Sequence, residues 1–208
     1  MCRSMIAALM CLLPMTAAAQ TAGQQTSDSV CSAATARSLT IRGIHLGMSA
    51  AELLALFPGA SENPEVKAAL ENVQAPPKFG MTQFYVGPGA YSTRERFAGI
   101  DMISVTFFDD RLTSYFIQYI GPPNGPMWNN LDEWIAKLSE TFHLPGLRDW
   151  PRQFPDETSR VLTCDGFKIW AGNQNQRGTI GVTEENVDRK RQAREQAYQE
   201  KKRREFKP

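Results

Sequence analysis

Two segments, SAAELLALF at 49–57 and NLDEWIAKL at 130–138, each open like an amphipathic helix, and each is followed by strand-like alternation. Ser49 and Glu52 form an S-x-x-E capping box, in which two otherwise unpaired backbone N–H groups are satisfied reciprocally. Leu53, Leu56 and Phe57 then share one face. Asn130 and Glu133 repeat the pattern, and Leu131, Trp134, Ile135, Leu138 and Phe142 follow the helical period. A helix that is apolar on one side must bury that side against another layer. The expected fold class is therefore α+β, with helices packed on an antiparallel sheet. The two halves are either tandem helix-plus-sheet repeats or two unrelated helices that share a common capping pattern.

The strand signals place the sheet. Thr82–Val86 is short and closed by Gly87-Pro88-Gly89. Segments 101–108 and 111–120 alternate on either side of Asp109-Asp110 and predict a hairpin. GPPNGP at 121–126 is the clearest internal break. Beyond it, Arg160–Cys164 and Phe167–Ala171 flank Asp165-Gly166, the strongest hairpin signal in the chain, and Thr179–Thr183 is a last strand. A second short helix is predicted over Pro64–Val73, with Pro in its first turn. These signals divide the chain into a first unit at 39–120, a second unit at 127–183 and a charged helix or tail at 184–208.

The N-terminus reads as a secretory signal. Arg3 precedes an apolar run of nine residues, Met5–Leu13, and Ala17-Ala18-Ala19 forms an A-x-A cleavage site before Gln20. Residues 1–19 are thus an expected signal peptide and 20–38 a linker, which places the mature chain in the periplasm or outside the cell. Cleavage leaves Cys31 and Cys164 as the remaining cysteines. In an oxidising compartment a lone pair is normally bridged, so a Cys31–Cys164 disulfide is expected. Neither cysteine belongs to a C-x-x-C, which argues against a redox pair or a zinc knuckle.

Charge is split along the chain. Residues 20–188 carry 13 Lys+Arg and 19 Asp+Glu, whereas 189–208 carry nine Lys+Arg and three Glu. The tail has good helix formers and no apolar stripe, so it reads as a solvated helix that either leans on the acidic body or meets an anionic surface. Nucleic acid is not an expected partner for an exported chain.

Nothing in the sequence calls for catalysis, a cofactor or a metal. No P-loop, H-E-x-x-H, G-x-S-x-G or G-x-G-x-x-G is present. His45 and His143 sit at helix ends, where structural roles suffice, and Asp109-Asp110 reads as a turn. Trp150, Phe154 and Trp170 read as core aromatics rather than the lining of a groove.

The run Gly43-Ile44-His45-Leu46-Gly47-Met48-Ser49, with Glu52, Leu53 and Phe57-Pro58-Gly59, resembles the opening motif of a family of small exported modules. These are the SmpA/OmlA-like domains of outer-membrane assembly lipoproteins and the related repeats of the β-lactamase inhibitor protein. The resemblance covers residues 43–59 closely and the first unit by element order. It implies one or two helices ahead of an antiparallel sheet, and a role in protein binding. The chain departs from the lipoproteins in lacking a suitable lipidated cysteine, and from the inhibitor in its basic tail.

Together these readings predict an exported, non-catalytic protein-binding module of the cell envelope, its partner another envelope or secreted protein. The alternative is a secreted enzyme inhibitor of the β-lactamase-inhibitor type, for which a rigid protruding acidic loop would be the mark. Regular alternation places Ile103, Val105, Phe107, Leu112 and Phe116 in the core. It places Phe108, Tyr115, Ile117 and Tyr119 on the opposite face, as the expected binding surface.

Overall fold

A computed structural model of the chain describes residues 31, 35, 39–88, 96–152 and 157–207. The expected signal peptide, and the expected linker apart from Cys31 and Thr35, lie outside the described residues. The elements in chain order are α1 (Ala50–Ala55), a 3-10 turn (Ala60–Glu62), α2 (Pro64–Leu70), β1 (Met81–Val86), β2 (Ile100–Phe108) and β3 (Arg111–Tyr119). There follow α3 (Leu131–Phe142), a second 3-10 turn (Leu147–Asp149), β4 (Ser159–Cys164), β5 (Phe167–Gln174), β6 (Arg177–Glu184) and α4 (Val187–Glu205).

The chain is α+β: helices accompany a single six-stranded antiparallel sheet of order β1-β2-β3-β6-β5-β4. Each half supplies a three-stranded meander, and the two meanders join through their last strands, β3 and β6. The units expected at 39–120 and 127–183 therefore share one sheet and one hydrophobic core.

Local chemistry explains where the elements begin and end. The Ser49 hydroxyl accepts from the Glu52 N–H at 3.2 Å, and the Glu52 carboxylate accepts from the Ser49 N–H at 2.7 Å, completing the capping box of α1. Asn63 and Asn130 cap α2 and α3 in the same sense. Lys78 Nζ donates to the carbonyls of Ala68, Ala69 and Glu71, which neutralises the C-terminal end of α2. His143 ends α3 in the left-handed conformation, with φ of 53°. Asp109 and Asp110 both adopt positive φ, as do Asn175 and Gln176, so the β2–β3 and β5–β6 connections are two-residue turns of the kind that matches strand twist.

One face of the sheet carries the core. A row across all six strands reads Phe84, Val105, Tyr115, Val182, Ile169 and Leu162, and each of these is buried. The next row reads Val86, Ile103, Ile117, Ile180, Ala171 and Arg160. Leu53 and Phe57 from the first half, and Leu131, Trp134, Ile135 and Leu138 of α3, join the same cluster. The Arg160 guanidinium is buried at the β4 edge, held by Glu157 at 2.6 Å and by Asp132 of α3 at 2.5 Å. A buried guanidinium is tolerable only when paired in this way.

The β2–β3 hairpin departs from the expected face assignment. Thr106 pairs with Ser114 and Phe107 pairs with Leu112, which leaves Thr113 as an extra residue, a β-bulge. The Thr113 hydroxyl donates back to the Thr106 carbonyl at 3.2 Å. One inserted residue moves every later side chain of the strand to the other face. Tyr115 and Ile117 therefore lie in the core, at 1% and 0% exposure, and Phe116 points outward.

Two further features tie the ends down. Cys31 and Cys164 are joined by a disulfide with Cα atoms 4.9 Å apart, and the Cys31 carbonyl accepts from the Asp165 N–H at 3.2 Å. Helix α4 leans across the β2–β3 turn: Arg194 grips Asp109 at 2.6 and 2.7 Å and stacks 4.5 Å from the Phe108 ring, while Tyr198 meets Phe79.

Candidate functional site

The second face of the sheet is the candidate site. Alternation along antiparallel strands sends the residues between the core positions to this side. Its central row reads Tyr85, Ser104, Phe116, Gly181, Trp170 and Val161, one residue from each strand. The adjacent row reads Gln83, Thr106, Ser114, Thr183, Lys168 and Thr163. Lys168 is the sole charged residue in these two rows, in a chain in which 22% of residues are charged.

Two glycines shape the middle of this face. The Trp170 indole lies over Gly172, where an added Cβ would come within 2.5 Å of the ring. Gly181 separates Trp170 from Phe116, whose ring centroids are 5.2 Å apart. A side chain at Gly172 would lift the indole, so this glycine lets Trp170 lie flat. Phe116 and Trp170 are half-buried, and Tyr85 is 59% exposed. Ser114 and Thr183 hydroxyls bond across the strands at 2.8 Å.

The four residues expected to form a binding surface are not brought together there. Tyr115 and Ile117 are core, and the Tyr115 hydroxyl donates to the Leu39 carbonyl at 3.3 Å. Burial pushes the Tyr115 hydroxyl far above its ordinary pKa. Tyr119 shares their face and packs edge-on against Trp134 of α3, with centroids 5.2 Å apart. Burial raises its pKa too, opposed by nearby Arg42. Phe108 does point to the outer side, yet Arg194 and α4 cover it to 7% exposure. The surface residues that strict alternation missed are Phe116, Trp170 and Tyr85. Glycines inside strands, at 172 and 181, were the sequence signal for Phe116 and Trp170.

The remaining chemistry-bearing residues are committed elsewhere. Asp110 accepts from the Ala50 N–H at 3.0 Å, and Asp109 is held by Arg194 and Gln74. The Arg194 hydrogen bond, helped by Gln74, keeps the Asp109 carboxyl below its ordinary range against a small burial effect. His45 Nδ1 lies 3.0 Å from the neighbouring Leu46 carbonyl. Trp150 is buried, with Nε1 donating to the Pro145 carbonyl at 3.1 Å, whereas Phe154 lies outside the described residues. Among the described residues no three His, Cys, Asp or Glu side chains are grouped to hold a metal ion. Among them, too, no helix is long and apolar enough to cross a membrane.

Comparison with protein-family models, with curated proteins and with solved structures gives no match.

Proposed function

We propose that the chain is an exported, non-catalytic protein-binding module of the cell envelope that presents the outer face of its sheet to a partner protein. The observation that carries this reading is the charge-poor row Tyr85–Ser104–Phe116–Gly181–Trp170–Val161, which crosses six strands with Tyr85 exposed and Phe116 and Trp170 half-exposed. Aromatic enrichment and charge depletion are what distinguish the centre of a protein interface from ordinary surface. Tyr and Trp supply large contact area at low conformational cost, and hydroxyl side chains adapt their hydrogen bonds to the partner. The Cys31–Cys164 bridge and the signal-like N-terminus support a periplasmic or secreted location. The GIHLGMS motif, followed by helices and a meander, supports kinship with the SmpA/OmlA-like modules. The inhibitor alternative needs a free acidic loop, and the Asp109-Asp110 turn is tied to α1 and α4.

The test is site-specific photocrosslinking in living cells of the source. A crosslinker at Ser104 or Gln118, beside the Trp170–Phe116 pair, should capture one discrete protein, and Trp170→Ala should abolish the product without unfolding the chain. Equal capture from a position on the exposed side of α3, such as Ala136, or no discrete product from the sheet face, refutes the reading.

A further inference from the structure

On the opposite side of the sheet, α3, the end of β3 and the turn at 41–42 enclose a cleft of about 480 Å³, within the range of small-molecule sites. Three rings form its wall. Trp134 meets Tyr119 at 5.2 Å and Trp128 at 4.9 Å between centroids, and Leu138 and Phe142 continue the apolar surface.

The cleft is polarised. Among the described residues its lining contains two cations, Arg42 and Lys137, and no acid. Lys137 is already paired with Glu140 at 2.8 Å. Arg42 makes no hydrogen bond or ion pair with any described residue, and it lies near enough to Tyr119 to oppose the rise in that hydroxyl's pKa. Its backbone is left-handed, with φ of 55°, in a turn closed by the Ile41–Ile44 pairing.

We propose that this cleft binds a small amphipathic carboxylate, its apolar body against Tyr119, Trp128 and Trp134 and its anionic head toward Arg42. A purely apolar ligand would leave the Arg42 guanidinium unused. A polyanion would meet a single unneutralised cation. A carboxylate offers the two acceptor oxygens that a guanidinium fork matches. The site lies across the sheet from Trp170 and does not depend on the outer-face reading.

The experiment is calorimetric titration of the folded chain with naphthoate and with decanoate, each against its uncharged counterpart, naphthylmethanol or decanol. Saturable binding of a carboxylate is expected, with the alcohol at least about tenfold weaker. The tighter carboxylate then identifies the body as aromatic or acyl. Arg42→Asn removes the charge with a residue that tolerates the left-handed backbone, and should weaken carboxylate binding about tenfold while leaving the alcohol unchanged. The proposal is overturned by any of three results: no saturable binding up to about 1 mM, equal affinity for acid and alcohol, or a folded Arg42→Asn protein that binds the acid like wild type.

Discussion

Removing the Cys31–Cys164 bridge should be the most damaging conservative change available to this chain. The two cysteines are 133 positions apart, so the bond closes four of the six strands, β1 to β4, into a loop. In the chain-entropy model a loop of that size constrains the unfolded ensemble by about 5 kcal/mol. Both side chains are buried, at 3% and 6% exposure, so Cys→Ala is a cleaner replacement than Cys→Ser, which would add an unpaired hydroxyl. The bond from the Asp165 N–H to the Cys31 carbonyl is the backbone link between the two segments, and a single such bond is worth about 1 kcal/mol. It cannot hold the N-terminal segment by itself. The double variant Cys31→Ala/Cys164→Ala should therefore lose roughly 3–5 kcal/mol in urea unfolding, a large part of the roughly 5–15 kcal/mol of an ordinary domain. With a slope near 2 kcal/mol/M, the midpoint should fall by roughly 2 M. Reductant should bring wild type close to the variant and leave the variant unmoved. A loss below about 1 kcal/mol at unchanged slope, or two free thiols in untreated mature protein, would refute the reasoning.

Tyr115→Ala should cost about 3–5 kcal/mol, as for other large buried aromatics, whereas Tyr115→Phe should cost about 1 kcal/mol through the orphaned Leu39 carbonyl. Near-neutral behaviour of Tyr115→Ala would contradict its core position. Gly178→Ala would place a Cβ 2.7 Å from the Trp134 ring, which is fixed by its Nε1 bond to the Thr179 carbonyl. The expected loss is about 1–3 kcal/mol with a changed near-ultraviolet dichroism, and an unaltered melting temperature would count against it. Arg194 holds the Asp109 carboxyl below its ordinary range, so this contact contributes above the unfolded aspartate value and is lost as pH falls through the folded one. Both groups are about 40% exposed, so Arg194→Ala should cost no more than about 1 kcal/mol globally. Amide protection factors in α4, corrected for the intrinsic pH dependence of exchange, should nonetheless fall in the variant at neutral pH and in wild type at acid pH; unchanged protection would detach α4 from this contact.

Much of the fold was legible because local chemistry and tertiary packing agree. The Ser49–Glu52 box, the Asn130 cap, the Asp109-Asp110 turn and the Asp165-Gly166 turn each impose a boundary within a few residues of themselves, and the elements form there. The observed α2 stops at Leu70, short of the expected Val73, because Lys78 returns to its terminal carbonyls, a partner that sequence spacing does not announce. The site was less legible. Alternation assigns faces only while the register holds, and Thr113 breaks it in mid-hairpin. Phe116 and Tyr115 exchanged faces on that one residue. Phe108 escaped for a different reason: its cover comes from Arg194, which is far along the chain, and an ion-pair partner at that distance leaves no periodic trace. The aromatic cleft draws on residues from 41 to 142, so no contiguous motif encodes it.

Strand β6 comes after every other strand in the chain, yet it lies between β3 and β5 at the middle of the sheet. As a polypeptide emerges N-terminus first, its two meanders have no hydrogen-bonded seam until residues 177–184 appear. Before then the apolar rows at Tyr115–Ile117 and at Ile169–Ala171 end on open edges, and neither half can close its own sheet. Topology thus defers closure of the full sheet to the moment the final strand arrives, and until then the strand edges at β3 and β5 lie open to pairing with other chains.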